Sequence, residues 1–366
     1  MKLPLEGMTV VDLGTLTPGK YASSLLTQLG ADVIRVERPG TERKPLSDED
    51  LVLNRNKRSM VLDLRTTEGL KVLHKLIETT DVLLEANRPG VAERRGFGYE
   101  ALSERNPEIV YCSLSSFGQT GPRRNEPGYD LVFMGMSGVW QALLAGQSPP
   151  VAPGLFLADA VSGLVCAFAS VTALLKRERG GGGTYIDVAM LDATFSLLAT
   201  SHGVQRDSEP SRIGPSPAPG ASPSYRTYVT ADGSYIVLGA VRASSWRALC
   251  DVLGCPQYGD NPYPPVSEAA EIIETLSAAF KLRPADAWIE RLKAMDIDCG
   301  PFNSPEAALD EHQLQVRHLL VPGTDQNGVG IRTIASPLNA TFGAPEPESA
   351  PMAGAHTDEI LRELGF

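Results

Sequence analysis

Asp159 is the residue whose surroundings hold the most chemistry. It stands between the apolar run GLFLA and the charge-free stretch Ala160–Leu175, whose polar side chains are all short: Ser162, Cys166, Ser170 and Thr172. Lys176, Arg177 and Arg179 follow, then four glycines, which is how a helix stops. The pattern predicts an apolar helix of about five turns, buried on all sides. At roughly 16 residues it is too short to span a bilayer comfortably. Asp159 then sits at the mouth of the helix, where free N–H groups and the dipole favour an anion. Two roles fit that place: an N-cap, or a nucleophilic carboxylate in apolar surroundings.

Basic residues form the second group. Arg38 follows the run ADVIRVE, Lys57 and Arg58 lie in the next connection, and Arg88, Arg94 and Arg95 follow DVLL. Loops after the strands of a parallel sheet converge at its carboxyl edge, where ligands bind. Several cations there suit a pyrophosphate and a further phosphate, although each one alone is more often a solvated surface residue, and it is their repeated position after strands that favours the group. The charge distribution agrees. The chain carries a net −11, which argues against nucleic acid, yet residues 1–124 hold 18 basic against 17 acidic side chains and the remainder 15 against 27. The first third is therefore the part suited to an anionic ligand.

Other chemistries find less support. Gly14 to Gly19-Lys20 has P-loop spacing, but Tyr21 stands where Ser or Thr should hold magnesium, and Pro18 removes an N–H. No G-x-G-x-x-G follows a strand and no G-x-S-x-G is present. Five scattered cysteines without C-x-x-C, and five histidines without H-E-x-x-H, predict neither disulfides nor a metal site. For paired acid–base work Asp159 has an evident partner only in Tyr129-Asp130, and a tyrosine is a poor base at neutral pH. The N-terminus lacks a signal pattern, so the expectation is a cytoplasmic protein.

The elements that must position these residues alternate along the first 200 positions. Met8–Leu13, Ala31–Glu37, Asp81–Leu84, Glu108–Leu114 and Thr184–Val188 read as strands, with helices over Tyr21–Leu29, Thr67–Thr79 and Leu191–Gly203. This is the pattern of a parallel sheet with crossover helices. Residues 205–224 are proline-rich and read as a linker. Beyond them Tyr225–Thr230 and Tyr235–Ala240 predict a hairpin, followed by helices over Ser245–Leu253, Ser267–Phe280 and Pro284–Met295. A short strand, Val329–Ile334, and a last helix, His356–Leu364, close the chain. The division is a large α/β domain, 1–204, a linker, 205–224, and a smaller α+β domain, 225–320.

Several segments resemble the class III CoA-transferases, the family of carnitine-, bile-acid- and formyl-CoA transferases and 2-methylacyl-CoA racemases. They are ADVIRVERPG, NRNKRSMVLDL, EANRPGVAERRGFGYEALSERNPEIVYCSLSSFGQTGP, PGYDLVFMGMSG and the closing AHTDEILRELGF. The resemblance covers nearly the whole chain and is thinnest over 225–320. It implies a Rossmann-like large domain completed by 325–366, an interlocked homodimer, and a site between domains at the dimer interface. It also implies that Asp159, in GLFLADAVSG, is the nucleophile, and that Leu16, Thr17, Arg38, Lys57 and Arg94 contact coenzyme A.

The substrates implied are an acyl-CoA and a small carboxylic acid, with no cofactor beyond coenzyme A itself and no nucleic-acid or membrane partner. The expected reaction is CoA transfer through an aspartyl anhydride and an aspartyl-CoA thioester. Backbone N–H groups at the start of the 160–175 helix are expected to hold the oxyanion. The racemase branch has a histidine where this chain has Tyr129, which favours transfer over racemisation. Thr17 in place of a glutamine, and IGPSPAPGASPS in place of a glycine-only loop, depart from the formyl/oxalate pattern. A racemase and a non-catalytic binder of CoA esters are the alternatives.

Overall fold

In the computed structural model, which describes residues 2–14, 16–144, 149–200 and 222–366, six parallel strands form the sheet behind the candidate site. They are β1 (Thr9–Asp12), β2 (Asp32–Glu37), β3 (Arg58–Val61), β4 (Val82–Glu85), β5 (Val110–Ser115) and β6 (Thr184–Ala189), in the order β3-β2-β1-β4-β5-β6. The order reverses between β1 and β4, and ligands of such sheets bind at the carboxyl ends beside that reversal. Strands covered on both faces read as continuous apolar runs. That holds for β4 and β5, which are buried throughout. β3 is absent from the sequence reading because RSMV is short and opens on a charge.

The connecting helices are α1 (Thr17–Gln28), α2 (Asp48–Leu53), α3 (Thr67–Ile77), α4 (Val91–Arg94), α5 (Tyr99–Ser103), α6 (Asp130–Met136), α7 (Val139–Leu144), α8 (Leu157–Lys176) and α9 (Met190–Ser196). α1 begins four residues before the expected Tyr21, because Pro18 lies in its first turn, where a missing N–H costs nothing. The turn leading into it is tight. A Cβ on Gly14 would lie 3.2 Å from the Cα of Gly19. Beneath the sheet, Val72, Leu73, Leu76 and Ile77 of α3 pack with Ile34, Leu83, Phe97 and Tyr111 in one apolar core, joined by Ile360 of the C-terminal helix Thr357–Glu363.

That C-terminal segment also covers the free edge of β3. Ser59 N donates to His356 Nδ1 (3.1 Å), His356 N to Ser59 O (2.8 Å) and Val61 N to Thr357 Oγ1 (3.0 Å). Arg58 clamps the arrangement, reaching Asp32 at 2.6 Å and Glu363 at 2.8 Å.

α8 departs from expectation in length and exposure. It has 20 residues, not 16, and by length and apolarity alone is long enough to cross a membrane. It packs against α1, α6, α9, β5 and β6 through small residues such as Ser162, Gly163, Ala167 and Ser170. Its opposite face is not buried within the chain: Leu164, Phe168 and Leu175 are 48%, 75% and 51% exposed.

The chain divides into two compact units. The first comprises Met1–Val139, Ala152–Ser196 and Glu311–Phe366 and holds the sheet. The second, Trp140–Val151 with Leu197–Asp310, contains the antiparallel strands β7 (Tyr225–Val229), β8 (Tyr235–Gly239) and β9 (Cys299–Pro301). Its helices are α10 (Ala243–Val252), α11 (Val266–Phe280) and α12 (Ala285–Lys293), and its core centres on Trp246, Phe280 and Trp288. A hairpin of β10 (Leu320–Thr324) and β11 (Gly330–Ile334) belongs to the first unit. Of the expected linker 205–224, residues 205–221 lie outside the described residues; Ser222 and Ser224 donate to Pro262 O at 3.1 and 2.8 Å.

Candidate active site

Asp159 is the third residue of α8, not its N-cap; that place falls to Phe156, which offers no side-chain cap. Its carboxyl group is half-buried, and among the described residues no donor lies within hydrogen-bond distance of it. Burial without compensation, together with the charges of Asp130 and Glu49, pushes its pKa up to about 6. At neutral pH the group is an ionised carboxylate held in an environment that disfavours its charge.

The N–H groups of the first turn are all engaged inside the protein. Leu157 N donates to Leu155 O (3.0 Å) and Ala160 N to Phe156 O (3.0 Å). Ala158 N and Asp159 N both donate to Asp130 Oδ2, at 2.7 and 3.2 Å. The expectation that these groups hold an oxyanion is therefore corrected: a buried carboxylate from α6 already occupies them. Neighbouring Tyr129 is 75% exposed and forms the N-cap of α6.

α1 meets α8 one turn beyond Asp159. A Cβ on Gly163 would lie 2.8 Å from Pro18 O and 3.0 Å from the Tyr21 ring, so glycine is what lets the two backbones approach. This contact brings the start of α1, which also lacks a side-chain cap, to the same end of α8. Leu16 is exposed there, while Thr17 Oγ1 donates to Glu49 Oε2 at 3.0 Å. Lys20 Nζ is bound to Glu49 Oε1 and Asp50 Oδ1, both at 2.8 Å, so it is not the free lysine of a phosphate loop.

Lys57 is placed differently from the expectation. It precedes β3 instead of following a strand, and its amine is fully buried beneath α1. Nζ donates to Ser23 Oγ (2.7 Å), Lys20 O (3.1 Å) and Asn54 Oδ1 (3.2 Å), with Asp12 Oδ2 at 3.7 Å. Asp12 accepts from Gly14 N (2.8 Å) and Ser23 Oγ (2.6 Å). The network anchors the β1–α1 turn from below and leaves Lys57 no access to a ligand.

At the carboxyl ends of β1 to β4 lies a groove of about 220 Å³, whose charged lining includes Arg38, Arg65 and Arg95. Asn87 also lines it, held by Glu85 Oε2, which accepts from Asn87 N (2.8 Å) and Nδ2 (2.9 Å); burial raises the Glu85 carboxyl above its ordinary range. Arg94 is exposed on α4 with its guanidinium over Gly90, outside the lining of the groove. Arg65 was not legible as a site residue because the strand it follows, β3, was not. Asp130 was visible only as a neighbour of Tyr129; its hydrogen bonds to a helix 28 residues later have no local signature.

Three comparisons bear on this geometry. Residues 5–357 match the family model described as CoA-transferase family III. A succinyl-CoA:glutarate CoA-transferase of Homo sapiens is 30% identical over 99% of this chain and 86% of its own length. An alpha-methylacyl-CoA racemase of Homo sapiens is 34% identical over 100% of this chain and 94% of its own. A solved CAIB/BAIF family protein from Brucella suis superposes with a TM-score of 0.86, at 28% identity and full coverage of both chains. With the six-stranded sheet, the groove at its carboxyl edge and a match over nearly its whole length, the chain belongs to CoA-transferase family III.

Proposed function

We propose that the protein transfers coenzyme A from an acyl-CoA to a carboxylic acid, with Asp159 as nucleophile. The observation that carries this reading is the state of Asp159: a half-buried carboxylate with no hydrogen-bond donor among the described residues, ionised at neutral pH against the pull of its surroundings. Such a group gains by being acylated. Asp159 attacks the thioester carbonyl; a C–O bond forms as the C–S bond breaks, giving a mixed anhydride and CoA thiolate. The thiolate attacks the aspartyl carbonyl, which releases the first carboxylate and leaves an aspartyl-CoA thioester. The acceptor carboxylate runs both steps backwards. Covalent catalysis here divides one exchange into two easier acyl transfers.

Arg38, Arg65 and Arg95 of the groove, with Arg94 at its margin, supply the cations for the phosphates of CoA. Leu16 and Thr17, at the start of α1, which packs against α8, are the further CoA contacts of this reading. An interlocked homodimer, drawn from the family resemblance, agrees with the apolar side chains left exposed on α6, α8 and α9. A carboxyl group titrating near 6 also suits proton transfer α to a thioester, so exchange of the α-hydrogen with solvent deuterium is the signature of the racemase reading.

The deciding variant is Asp159→Asn, which keeps the size of the side chain and the N–H that binds Asp130. It is expected to fold and bind acyl-CoA while transfer falls by several orders of magnitude. Hydroxylamine added to wild type with acyl-CoA is expected to modify Asp159. Retention of more than about a tenth of transfer, a barrier change under about 1.4 kcal/mol, removes Asp159 from the mechanism.

A further inference from the structure

The first turn of α8 is capped from a distance. Helices usually take this bond from their own N-cap residue, yet Phe156 offers nothing and a carboxylate oxygen of Asp130, on α6, accepts from the turn instead. The arrangement is costly. Asp130 is only 5% exposed, and its second oxygen, Oδ1, is buried without a partner among the described residues. A buried carboxylate with an unpaired oxygen is tolerated in native proteins where something offsets it. A serine or aspartate at position 156 would cap the same turn without that cost.

Two consequences set Asp130 apart from an ordinary cap. Its bond to Asp159 N fixes the backbone from which the Asp159 carboxyl group projects. Its charge, undispersed at Oδ1, bears on that same carboxyl group. We propose that Asp130 is a positioning residue for the transfer reaction, holding the backbone under Asp159 and setting beside it a negative charge whose repulsion is relieved when Asp159 is acylated. The inference rests on the reading of Asp159 as nucleophile.

The charge balance of the step explains the second effect. Before attack the Asp159 carboxylate is an anion; after C–O bond formation and C–S cleavage that charge resides on the departing thiolate, and the aspartyl group is neutral. No proton moves. Any fixed negative charge near Asp159 raises the energy of the state before attack and leaves the anhydride untouched. The other charges around the site do not cancel this effect. Glu49 of α2 adds a second anion. Lys20, the sole charged residue of α1, is bound to Glu49 and Asp50. β5 carries no charge, β6 has Asp187, which accepts from Gln119 N at 2.9 Å, and Asp192 of α9 is exposed.

Asp130→Asn separates the two effects, because its amide oxygen can still accept the two N–H bonds while the charge is gone. Asp130→Ala removes both. The assay is the pH dependence of kcat/KM for transfer between pH 4 and 8, with KM for acyl-CoA and the melting temperature measured alongside. Wild type is expected to lose activity below a midpoint of about 6. In Asp130→Asn that midpoint is expected to move to lower pH and the plateau of kcat to fall by about tenfold, the equivalent of one pKa unit, with KM for acyl-CoA within about twofold. Asp130→Ala is expected to lose more activity and to melt lower. If Asp130→Asn matches wild type in both midpoint and plateau, the residue is a structural cap and the proposal is overturned, whether or not the alanine variant folds. An inactive Asp159→Asn beside an unchanged Asp130→Asn refutes the role of Asp130 alone; an active Asp159→Asn refutes the nucleophile itself.

Discussion

Lys57 shows how far a single residue can stand from its local reading. In the sequence it is a cation in a basic connection; in the fold it is a sealed amine that ties α1 to β1 through Ser23 and Asp12. Loss of hydration, only partly offset by Asp12, lowers its pKa from 10.5 to about 7. Between those two pH values the unfolded chain holds the proton and the folded chain does not. Stability therefore rises with pH across that window, by at most about 1.4 kcal/mol per unit from this group. Below pH 7 both states are protonated and the folded state bears the buried charge. Lys57→Met is expected to remove this component, so its urea midpoint should change less than that of wild type between pH 7 and 9. Parallel midpoints for the two proteins would show that the amine keeps its proton when buried. Asp159 and Arg38, by contrast, lie at the ends of elements that the sequence marks clearly, and both were legible as candidates.

At the scale of elements, the strands were legible where apolar runs end in Gly or Pro-Gly, and the reading weakens where tertiary contacts decide. β3 exists because β2 and the C-terminal segment pair with it on either side, which no local pattern records. The start of α8 moved for a similar reason: local capping rules favour Asp159 as the first residue, but Asp130 arrives from α6 and the helix extends back to Leu157. The α1–α8 contact yields a further expectation. Any side chain at Gly163 meets the carbonyl of Pro18, a backbone atom that cannot rotate away. Gly163→Ala is expected to cost about 1–3 kcal/mol as overpacking and to lower turnover by shifting Thr17 relative to Asp159. Equilibrium denaturation and kcat check both; an unaltered denaturation midpoint would mean that the two helices separate freely.

For the whole molecule, the exposed apolar side chains are the telling feature. Phe168 and Leu164 on α8, Phe195 on α9, and Leu131, Val132 and Met136 on α6 lie on three helices packed against one another. Apolar patches of this kind mark association surfaces. With a second copy as the partner, Phe168→Glu is expected to yield a folded monomer with little transfer activity, measured by light scattering and by assay at micromolar concentration. Wild type that is monomeric and fully active under the same conditions would count against the dimer. The C-terminal cover over β3 has its own consequence, for the order in which a ribosome can finish this fold. The other strands of the sheet have all emerged by Ala189, and Leu197–Asp310 of the second unit follows before His356 and Thr357 appear. Through all that time β3 presents an open edge able to pair with another nascent chain. Arg58, a charged side chain on that edge held by Asp32 and joined at the end by Glu359 and Glu363, is the guard that stands until the last residues arrive.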